Sequence, residues 1–402
     1  MAAIEKIAIS CIVPVYNVEE YVPHVVEGLV KQTLKNVEII FVDDASTDRS
    51  LEILEKYQKK YKNIKVLKNS ENLGAGETRN HGLRAARGEF VIFLDADDVF
   101  SKELFEKLYH QAVSHQADCV IYYTGHFTNG EKDKTVPDRK GKNIINVSSY
   151  PVLEEPEKNP AIFEIITNSP YDKLVRREVL IRNEIRCSRY PRTNDMYYSY
   201  ASVLCSSRVV YLDEDLYFQR RNRPGSITTV YAGRTYILQV LEEIYLLEKK
   251  RNMTPELEEK FWRFALHRIY ETAYEMKEEN RTVFLKQGEN LLKKYWKMFY
   301  HKRGLKRSTM NGILVEKIEK RDFNEKYEDI FYRYQRNNLR RKYKKTGFLR
   351  CKIYTLFLAA LKKKGKYMDY IIYDDDMDAK KMWLILKSRI TNKVKNNIWR
   401  VF

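Results

Sequence analysis

Three clusters of polar residues follow short apolar segments in the first hundred residues. The clusters Pro14–Asn17, Asp43–Asp44 and Asp95–Asp98 each come directly after a run rich in Ile, Val, Phe or Leu. Carboxylates that converge on one edge repel one another unless a cation or hydrogen-bond donors compensate their charge. The Asp-x-Asp spacing of Asp95 and Asp97 offers hard oxygen ligands to Mg²⁺ or Mn²⁺, which commonly share their coordination with substrate phosphates. The alternative is that these Asp-rich turns only cap the helices that follow them.

Strands and helices are predicted to alternate over the same region. Four apolar segments that are too short for lone helices indicate buried strands, and they lie at 7–13, 37–42, 64–67 and 90–94. Amphipathic segments between them indicate helices, at 19–32, 48–61 and 77–86. This alternation predicts an α/β fold with right-handed crossovers and a mostly parallel sheet. Ligands bind at the carboxyl edge of such a sheet, where the polar clusters would meet.

The charge of the chain is distributed unequally. The 402 residues carry a formal net charge of +18, but residues 1–230 contain 32 basic and 33 acidic side chains, whereas residues 231–402 contain 41 and 22. Gly and Pro become scarce after residue 230, and amphipathic stretches predict helices at 237–250, 256–279 and 283–300. We therefore predict a near-neutral domain over 1–230 and a basic, mainly helical domain over 231–402.

Four motifs in the first domain resemble those of the family 2 glycosyltransferases with a GT-A fold. They read IVPVYNVEEYV, VDDASTD, NLGAGETRN and GEFVIFLDADD, and the resemblance covers roughly residues 6–230. It implies a metal-dependent transfer of a hexosyl or N-acetylhexosaminyl group from a nucleotide-sugar to an acceptor hydroxyl, with inversion. It also implies a role in the synthesis of bacterial surface polysaccharide or a related glycan.

The resemblance implies roles for five residues at the nucleotide. Tyr16 would stack on the base beside Pro14, and Asp44 would accept a hydrogen bond from the base. Arg79 would approach the same end, and Asn72 lies in the loop after the third strand. An aromatic ring combined with a carboxylate that accepts from an imide N–H suits uracil, so the expected donor is a UDP-sugar. The alternatives are a core aromatic at Tyr16 and a helix cap at Asp44.

The same resemblance assigns the acidic turn to the metal, expected to be Mn²⁺ or Mg²⁺. Asp97 would be its direct ligand, with the ion bridging both phosphates of the donor and stabilising the departing nucleoside diphosphate. Asp95 would lie near the ribose and the metal. Asp98 would instead support the turn.

An inverting transfer also needs a base on the acceptor side. The family carries this base in a Glu-Asp motif followed by two residues and an aromatic. The matching segment here is Thr193–Tyr198, in which Asp195 keeps the carboxylate and Asn194 replaces the usual acid. The resemblance therefore implies that Asp195 is the base, with a surface carboxylate as the alternative. Asp172 is a second candidate and is expected to be structural.

A basic segment farther along resembles the family's loop over the diphosphate. It spans Tyr217–Thr228 and contains three arginines. Arg supplies a planar donor fork for phosphate oxygens, and Gly-Ser supplies backbone and hydroxyl donors. The spacing favours Arg220 and Arg223 as phosphate ligands together with Ser226, and a solvated basic loop is the alternative.

The most basic part of the second domain interleaves aromatic residues with Lys and Arg. Residues 331–368 contain 13 Lys or Arg and no acid, around the apolar run Ile353–Leu361. This run suits an interfacial helix whose flanks contact anionic headgroups, near a glycan or lipid-linked acceptor. A helix that packs on the catalytic domain or on a second subunit, forming a homo-oligomer, is the alternative. Nucleic-acid binding is disfavoured because no motif for it is recognisable.

The location is predicted from what the sequence lacks. It contains no run of eighteen apolar residues and no signal-peptide pattern at the start. Its five cysteines form no CxxC pair, which indicates a reducing compartment and no structural zinc. These features predict a cytoplasmic protein, peripherally bound at the inner face of the cell membrane.

Two other functions compete with the transferase. A nucleotidyltransferase has a similar nucleotide-binding sheet, but it would show a Gly-rich basic loop after the first strand, which Pro14–Glu20 does not. The second competing function is that of a non-catalytic polyanion-binding protein with a transferase-like fold. The complete set of carboxylates at Asp44, Asp95, Asp97 and Asp195 argues against a degenerate site.

Overall fold

The computed structural model describes residues 6–128, 152–159, 162–221, 236–295 and 310–320, and residues 324, 325, 330 and 333. This part of the chain divides into two compact units. The first contains the described residues up to Thr254, except Phe163–Ile165. The second contains Phe163–Ile165 and the described residues from Pro255 onward. The domain boundary at residue 230 stays a prediction, and the first unit includes one helix that lies beyond it.

Nine strands form one sheet in the described part of the first unit. They are β1 (Ile9–Val15), β2 (Val37–Asp43), β3 (Ile64–Lys68), β4 (Phe90–Phe93), β5 (Val99–Phe100), β6 (Cys119–Thr128), β7 (Val152–Glu154), β8 (Lys173–Arg176) and β9 (Arg208–Arg221). Their order is β3-β2-β1-β4-β8-β6-β9-β5, and β7 also pairs with β9. Strands β1 to β4 are mutually parallel, whereas β8 runs antiparallel to both of its neighbours.

Helices connect these strands and follow the sheet. They are α1 (Val22–Val30), α2 (Ser50–Lys60), α3 (Gly74–Ala85), α4 (Leu104–Ser114), α5 (Ile162–Ile165), α6 (Arg177–Arg182), α7 (Met196–Leu204) and α8 (Ile237–Lys250). The mixed α/β architecture with a mostly parallel sheet confirms the predicted fold class. All seven residues of β2 are buried, as expected for a strand covered on both faces.

Helix α3 packs close to the sheet because one glycine leaves room for it. A Cβ added at Gly82 would lie 2.4 Å from Cγ2 of Ile12 on β1 and 3.2 Å from Cγ2 of Val42 on β2. Any larger residue would push the helix away from these two strands. The glycine therefore fixes α3 over the strands that carry the polar clusters at their carboxyl ends.

The end of β9 corrects one expectation from the sequence. The sequence predicts a loop that starts at Tyr217. This prediction is wrong for residues 217–221, which complete β9 and pair with β5 and β6. The cause is packing, because the Tyr217 side chain is fully buried and its ring stacks on that of Tyr171 at a centroid distance of 4.7 Å.

Three longer helices form the described part of the second unit, namely α9 (Pro255–Glu275), α10 (Glu278–Tyr295) and α11 (Met310–Glu319). Helix α9 packs against α10 and α11, and its buried residues include Trp262 and Tyr270. The helices α8 to α10 lie where the sequence predicts them. None of the described helices is long and apolar enough to cross a membrane. The predicted membrane-binding segment, apart from Arg333, lies outside the described residues.

A buried carboxyl group near the end of α8 makes the stability of the first unit depend on pH. The side chain of Glu248 is 0% exposed, and neither of its oxygens has a hydrogen-bond partner among the described residues. Its nearest cation is Arg251, whose Nε lies 3.9 Å from Oε1. Burial raises the pKa of Glu248 to about 8 from its ordinary value of 4.5. The group is therefore protonated when folded at neutral pH.

The sign of the pH effect follows from this raised pKa. Between pH 4.5 and 8 the folded state holds a proton on Glu248 that the unfolded state has lost, so the free energy of unfolding falls as the pH rises, by about 5 kcal/mol at most. Glu248→Gln should remove most of this slope. Urea unfolding at pH 5 and pH 8 measures it, with Glu55→Gln on the exposed face of α2 as the control. Equal slopes in wild type and Glu248→Gln would contradict the prediction.

Candidate active site

The acidic turn after β4 is held in place by Asp98. This carboxyl is buried, and it accepts hydrogen bonds from the Tyr217 hydroxyl and, at 2.6 Å, from the backbone N–H of Arg220. The Nε of Arg220 donates to the carbonyl oxygen of Asp97 at 2.7 Å. Burial and the charges of Asp97 and Asp95 raise the pKa of Asp98 well above its ordinary value. Asp98 therefore supports the turn, and three carboxyl groups lie close enough to interact there.

Only one of the two carboxylate oxygens of Asp95 accepts a hydrogen bond from a side chain in the described part of the protein. Its Oδ1 accepts from Nη2 of Arg79 at 2.7 Å, and its Oδ2 has no hydrogen-bond partner within the described ranges. Asp97 is partly exposed on the same turn. No group of three or more His, Cys, Asp or Glu side chains in the described part forms a complete protein-only metal site. A cation at this turn would thus have to share its coordination with a ligand.

Arg79 connects this turn to the segment that contains Asp195. The guanidinium is buried, and Nη1 lies 3.5 Å from Oδ1 of Asn194. Burial works against its charge, but the carboxylates of Asp95 and Asp195 raise the pKa of Arg79 above its ordinary value. Its Nε has no hydrogen-bond partner among the residues that the structure describes. A permanent positive charge therefore interacts both with Asp95, a predicted metal ligand, and with Asp195, the predicted base.

Asp195 occupies the residue immediately before α7. Its side chain makes no capping hydrogen bond to that helix, so the carboxylate is not used as a helix cap. Burial raises the pKa of Asp195 above its ordinary value, although the charge of Arg79 acts in the opposite direction. A carboxylate with a raised pKa is a stronger proton acceptor than one in water. The environment of Asp195 therefore suits a general base.

Helix α3 also holds the chain that leads to Asp195. The side-chain amide of Asn80 accepts from the N–H of Cys187 at 2.9 Å and donates to its carbonyl oxygen at 3.0 Å. A Cβ added at Gly76 would lie 2.4 Å from the carbonyl oxygen of Ser188 and 2.8 Å from Cβ of Asn194. One helix thus aligns Asp95 with Asp195 through three residues, Gly76, Arg79 and Asn80.

Gly76→Ala is expected to destabilise the protein by about 1–3 kcal/mol, because the added methyl overpacks the contact with Ser188 and Asn194. The sign of this change in stability reports on the contact, because Gly→Ala at an unconstrained helix position stabilises a protein by about 0.5–1 kcal/mol. Urea unfolding measures the change. Gly28→Ala on α1 is the control, since its new Cβ would meet only the edge of the Phe100 ring, at 3.0 Å. Unchanged stability in Gly76→Ala would show that the segment is not held against α3.

The predicted nucleotide-binding residues lie at the ends of β1 and β2. Tyr16 is 46% exposed, which leaves its ring available for stacking and excludes the core alternative. Asp44 is buried, and it accepts from the N–H groups of Leu73 and Gly74 at 2.9 and 2.8 Å and from Asn69 at 2.7 Å. Asp44 thus binds the start of α3, as the cap alternative expects. Its contact with a base stays a prediction.

Two loops at this edge have strained backbones that are linked to each other. Asn17 and Ala45 have positive φ values of 50° and 57°, although neither is glycine. The Asn17 side chain accepts from the N–H of Thr47 at 2.8 Å, and the Asn17 N–H donates to Ser46 Oγ at 3.2 Å. Strain of this kind persists only where the surroundings enforce it. The loops that follow β1 and β2 therefore form one rigid edge beside Tyr16.

Comparison with known proteins identifies the family. The family model described as "Glycosyl transferase family 2" matches residues 10–182. Glycosyltransferase GlyG of Streptococcus pneumoniae is 32% identical over 243 residues, which are 58% of this chain and 77% of GlyG. The chain belongs to glycosyltransferase family 2. The predictions of this family and of a transferase enzyme are thereby confirmed.

Other similar proteins agree with this assignment. The cholesterol galactosyltransferase of Borreliella burgdorferi is 29% identical over 275 residues, or 64% of this chain and 73% of that protein. The crystal structure of Staphylococcus aureus TarS 1–349 in complex with UDP-GlcNAc has a TM-score of 0.63 and 24% identity, covering 79% of this chain and 88% of that one. This likeness shows that the glycosyltransferase shares its fold with TarS.

The remaining predicted residues of the glycosyltransferase lie in different surroundings. Pro14 belongs to β1, and Asn72 is exposed just before α3. The Arg220 guanidinium lies over the rings of Tyr21 and Phe127, at 4.7 and 4.5 Å from their centroids. Arg223 and Ser226 lie outside the described residues. Their roles at the diphosphate stay predictions.

The second candidate for the base is structural. Asp172 is completely buried and forms an ion pair with Lys173, which is also completely buried. The Lys173 ammonium group donates to the carbonyl oxygen of Ser169 at 2.6 Å, and Thr167 donates to the other oxygen of Asp172. These contacts leave Asp172 enclosed by the protein, so it is not accessible to an acceptor of the glycosyltransferase.

Two contributors to the site were missed by sequence reasoning. Gly76 and Asn80 were not singled out, and Arg79 was expected at the nucleotide base rather than in an ion pair with Asp95. A signal for them exists in NLGAGETRN, because positions 76, 79 and 80 have the i, i+3, i+4 spacing of one helix face. That spacing indicates a helix that presents a glycine, a cation and an amide to the same neighbouring segment.

Proposed function

We propose that this glycosyltransferase moves a sugar from a UDP-sugar to an acceptor hydroxyl of a bacterial surface glycan, with a divalent metal and with inversion. One observation carries the proposal. The Arg79 guanidinium forms an ion pair with Asp95, and its positive charge also interacts with the Asp195 carboxylate. The proposed metal-binding turn and the proposed base therefore both interact with one buried cation. The crystal structure of TarS with UDP-GlcNAc supports the choice of donor.

Asp195 is proposed to activate the acceptor. As the acceptor oxygen attacks the anomeric carbon, its proton passes to the Asp195 carboxylate, and the bond between that carbon and the diphosphate oxygen breaks on the opposite face. The burial that raises the pKa of Asp195 favours this proton transfer. A single displacement of this geometry inverts the anomeric configuration.

Asp97 and Oδ2 of Asp95 fit a cation that the donor helps to coordinate. Mg²⁺ is commonly held by one or two carboxylates together with substrate phosphates, and Mn²⁺ accepts the same oxygen ligands. The charges at Asp95, Asp97 and Asp98 are consistent with this fit, since they lie close enough to raise the pKa of Asp98, and Arg79 pairs with one oxygen of Asp95. A metal bound there would supply Lewis-acid stabilisation of the departing diphosphate.

The donor is proposed to lie along the rigid edge formed by the loops after β1 and β2. The exposed Tyr16 ring stacks on uracil beside Pro14, with Asp44 and Asn72 at the far end of the base. Arg220, Arg223 and Ser226 are the proposed ligands of the diphosphate. Of these, Arg220 would have to leave its contact with Asp97 or use its remaining N–H groups.

The acceptor and the location are proposed from the relatives and the sequence. Poly(ribitol-phosphate) β-glucosyltransferase of Bacillus spizizenii is 27% identical over 304 residues, which supports an acceptor in surface-polymer synthesis, free or lipid-linked. The basic residues of 331–368 support peripheral attachment to an anionic membrane at its inner face. Association through a second copy of the chain is the alternative role for that region.

A donor panel tests the proposed function directly. Purified full-length protein is incubated with UDP-Glc, UDP-Gal, UDP-GlcNAc and GDP-Man, and release of nucleoside diphosphate is followed with and without EDTA. We expect release from one UDP-sugar, loss of release in EDTA, and its return with Mn²⁺ or Mg²⁺. NMR of the glycosidic product should show a β linkage from an α-linked donor. Retention of configuration, or full activity in EDTA, would overturn the corresponding part of the proposal.

A further inference from the structure

Five residues of the first unit form a closed loop just before Asn194 and Asp195. The N–H of Ser188 donates to the carbonyl oxygen of Asn194 at 2.6 Å, which joins the two ends of the segment. The residues between them, Arg189–Thr193, form the loop, which we call the acceptor loop. Its base is fixed to α3 by the contacts of Asn80 with Cys187. Thr193 has a positive φ of 60°, so the chain turns sharply just before the catalytic carboxylate.

The acceptor loop carries two cations that the protein leaves largely uncompensated. The Arg189 side chain is 83% exposed, and its single ion-pair contact within the described residues is with Glu77 at 3.6 Å. Arg192 is partly exposed, and it has no hydrogen bond or ion pair with any residue that the structure describes. Exposed guanidinium groups present planar N–H pairs that match the oxygens of a phosphate or a carboxylate.

The residue between these two arginines is an oriented aromatic. The ring of Tyr190 stacks on that of Tyr236 at a centroid distance of 4.9 Å and an interplanar angle of 16°. Its hydroxyl donates to Glu243 at 3.2 Å, and Ser188 Oγ donates to the other oxygen of the same carboxylate at 3.4 Å. Glu243 is thus occupied by two hydroxyl groups. The acceptor loop consequently combines a rigid ring with two available positive charges.

The distance between the acceptor loop and Asp195 limits what can bind there. Arg192 precedes Asp195 by three residues, so their Cα atoms are separated by about 11 Å at most. The reacting hydroxyl must come within about 3 Å of the Asp195 carboxylate. An anionic group within one or two repeat units of that hydroxyl is therefore within reach of the long Arg192 side chain, and Arg189 can contact the next one.

We propose that the acceptor loop selects an acceptor chain that carries an oxyanion close to the glycosylated hydroxyl. Arg192 binds this oxyanion and Arg189 binds the next one along the acceptor, each a phosphodiester of a polyol-phosphate chain or a carboxylate of a uronic-acid chain, and Tyr190 orients the loop. The inference rests on the proposed function, because it takes Asp195 as the base. It adds the chemical class of the acceptor and the residues that choose it.

Binding of three acceptor probes to the full-length protein tests this inference. The probes are a synthetic polyol-phosphate oligomer, an oligosaccharide of uronic acids and a neutral oligosaccharide of similar length, each with UDP present. We expect one of the two anionic probes to bind better than the neutral one, with an affinity that falls as salt rises. The double variant Arg189→Ala/Arg192→Ala should weaken that probe by about 10-fold or more. Arg189→Lys/Arg192→Lys should recover part of the loss.

Two further measurements keep this test independent of folding and of the donor. Arg182→Ala on α6 is the matched control, since it removes an exposed arginine outside the acceptor loop. UDP affinity and unfolding temperature should be the same in all variants. Equal binding of neutral and anionic probes, no binding of either anionic probe, or wild-type affinity in the double variant would overturn the inference. If the wild type fails to bind UDP at all, the proposed function itself fails instead.

Discussion

Asp195→Asn is expected to lower the rate of sugar transfer by about 10²–10⁴-fold while leaving the affinity for the UDP-sugar unchanged. The amide retains the size and shape of the carboxylate but cannot accept the acceptor proton, and general-base catalysis contributes a factor of about this size. Asp195 makes no capping hydrogen bond to α7, so the fold does not depend on its charge. Single-turnover rates with saturating donor, together with calorimetric binding of UDP, measure the two effects separately.

The control for this substitution is Asp213→Asn on β9, where the carboxylate is exposed. It removes the same charge from the same unit, and both rate and donor affinity should stay at wild-type values. In the Asp195→Asn variant, Arg79 loses one of the two carboxylates that raise its pKa, but its ion pair with Asp95 remains. Wild-type turnover in Asp195→Asn would force the choice of another base.

The sheet could be predicted because each part of its sequence signal is local. Strands β1 and β2 consist mainly of apolar residues, and helix α1 between them repeats apolar residues at helical spacing. The polar clusters follow from topology, since parallel strands bring their carboxyl ends to one edge. The end of β9 could not be predicted, because Tyr217–Arg221 reads as polar and basic. It becomes a strand through pairing with β5 and through the burial of Tyr217, which is set by residues more than a hundred positions away.

The candidate site likewise combines residues that a local motif predicts with contacts between residues far apart in the sequence. Asp195 was found from a motif even though Asn194 departs from the family pattern. In the structure Asn194 is buried, with Oδ1 3.5 Å from Arg79 and its backbone carbonyl closing the acceptor loop. An acid at this position would add a further carboxylate beside Asp195, so the neutral amide is compatible with the burial of Asn194. The role of Arg79 depends on contacts of 16 and 115 residues' separation, and no local pattern specifies these.

Asp97 and its neighbour Asp98 are both carboxylates, but Asp97 is partly exposed whereas Asp98 is buried. Comparing substitutions at the two positions therefore tests the metal proposal. Within the described part of the chain, the backbone carbonyl of Asp97 accepts a hydrogen bond from Arg220, and this bond survives replacement of the side chain. Asp98 instead uses its carboxyl to bind Tyr217 and the Arg220 N–H. Removing that carboxyl leaves two buried donors without their acceptor, which costs about 1–3 kcal/mol.

Asp97→Ala is therefore expected to abolish transfer and the stimulation of UDP-sugar binding by Mn²⁺, with little change in unfolding temperature. Asp98→Ala should lower the unfolding temperature markedly, which separates damage to the turn from loss of a metal ligand. Calorimetric titration of UDP with and without MnCl₂, combined with thermal unfolding of both variants, makes the comparison. The carboxylate at Asp97 matters in this scheme because Asp95 already shares one oxygen with Arg79. Metal-stimulated binding of UDP that persists in Asp97→Ala would assign the cation to Asp95 alone or remove it from this turn.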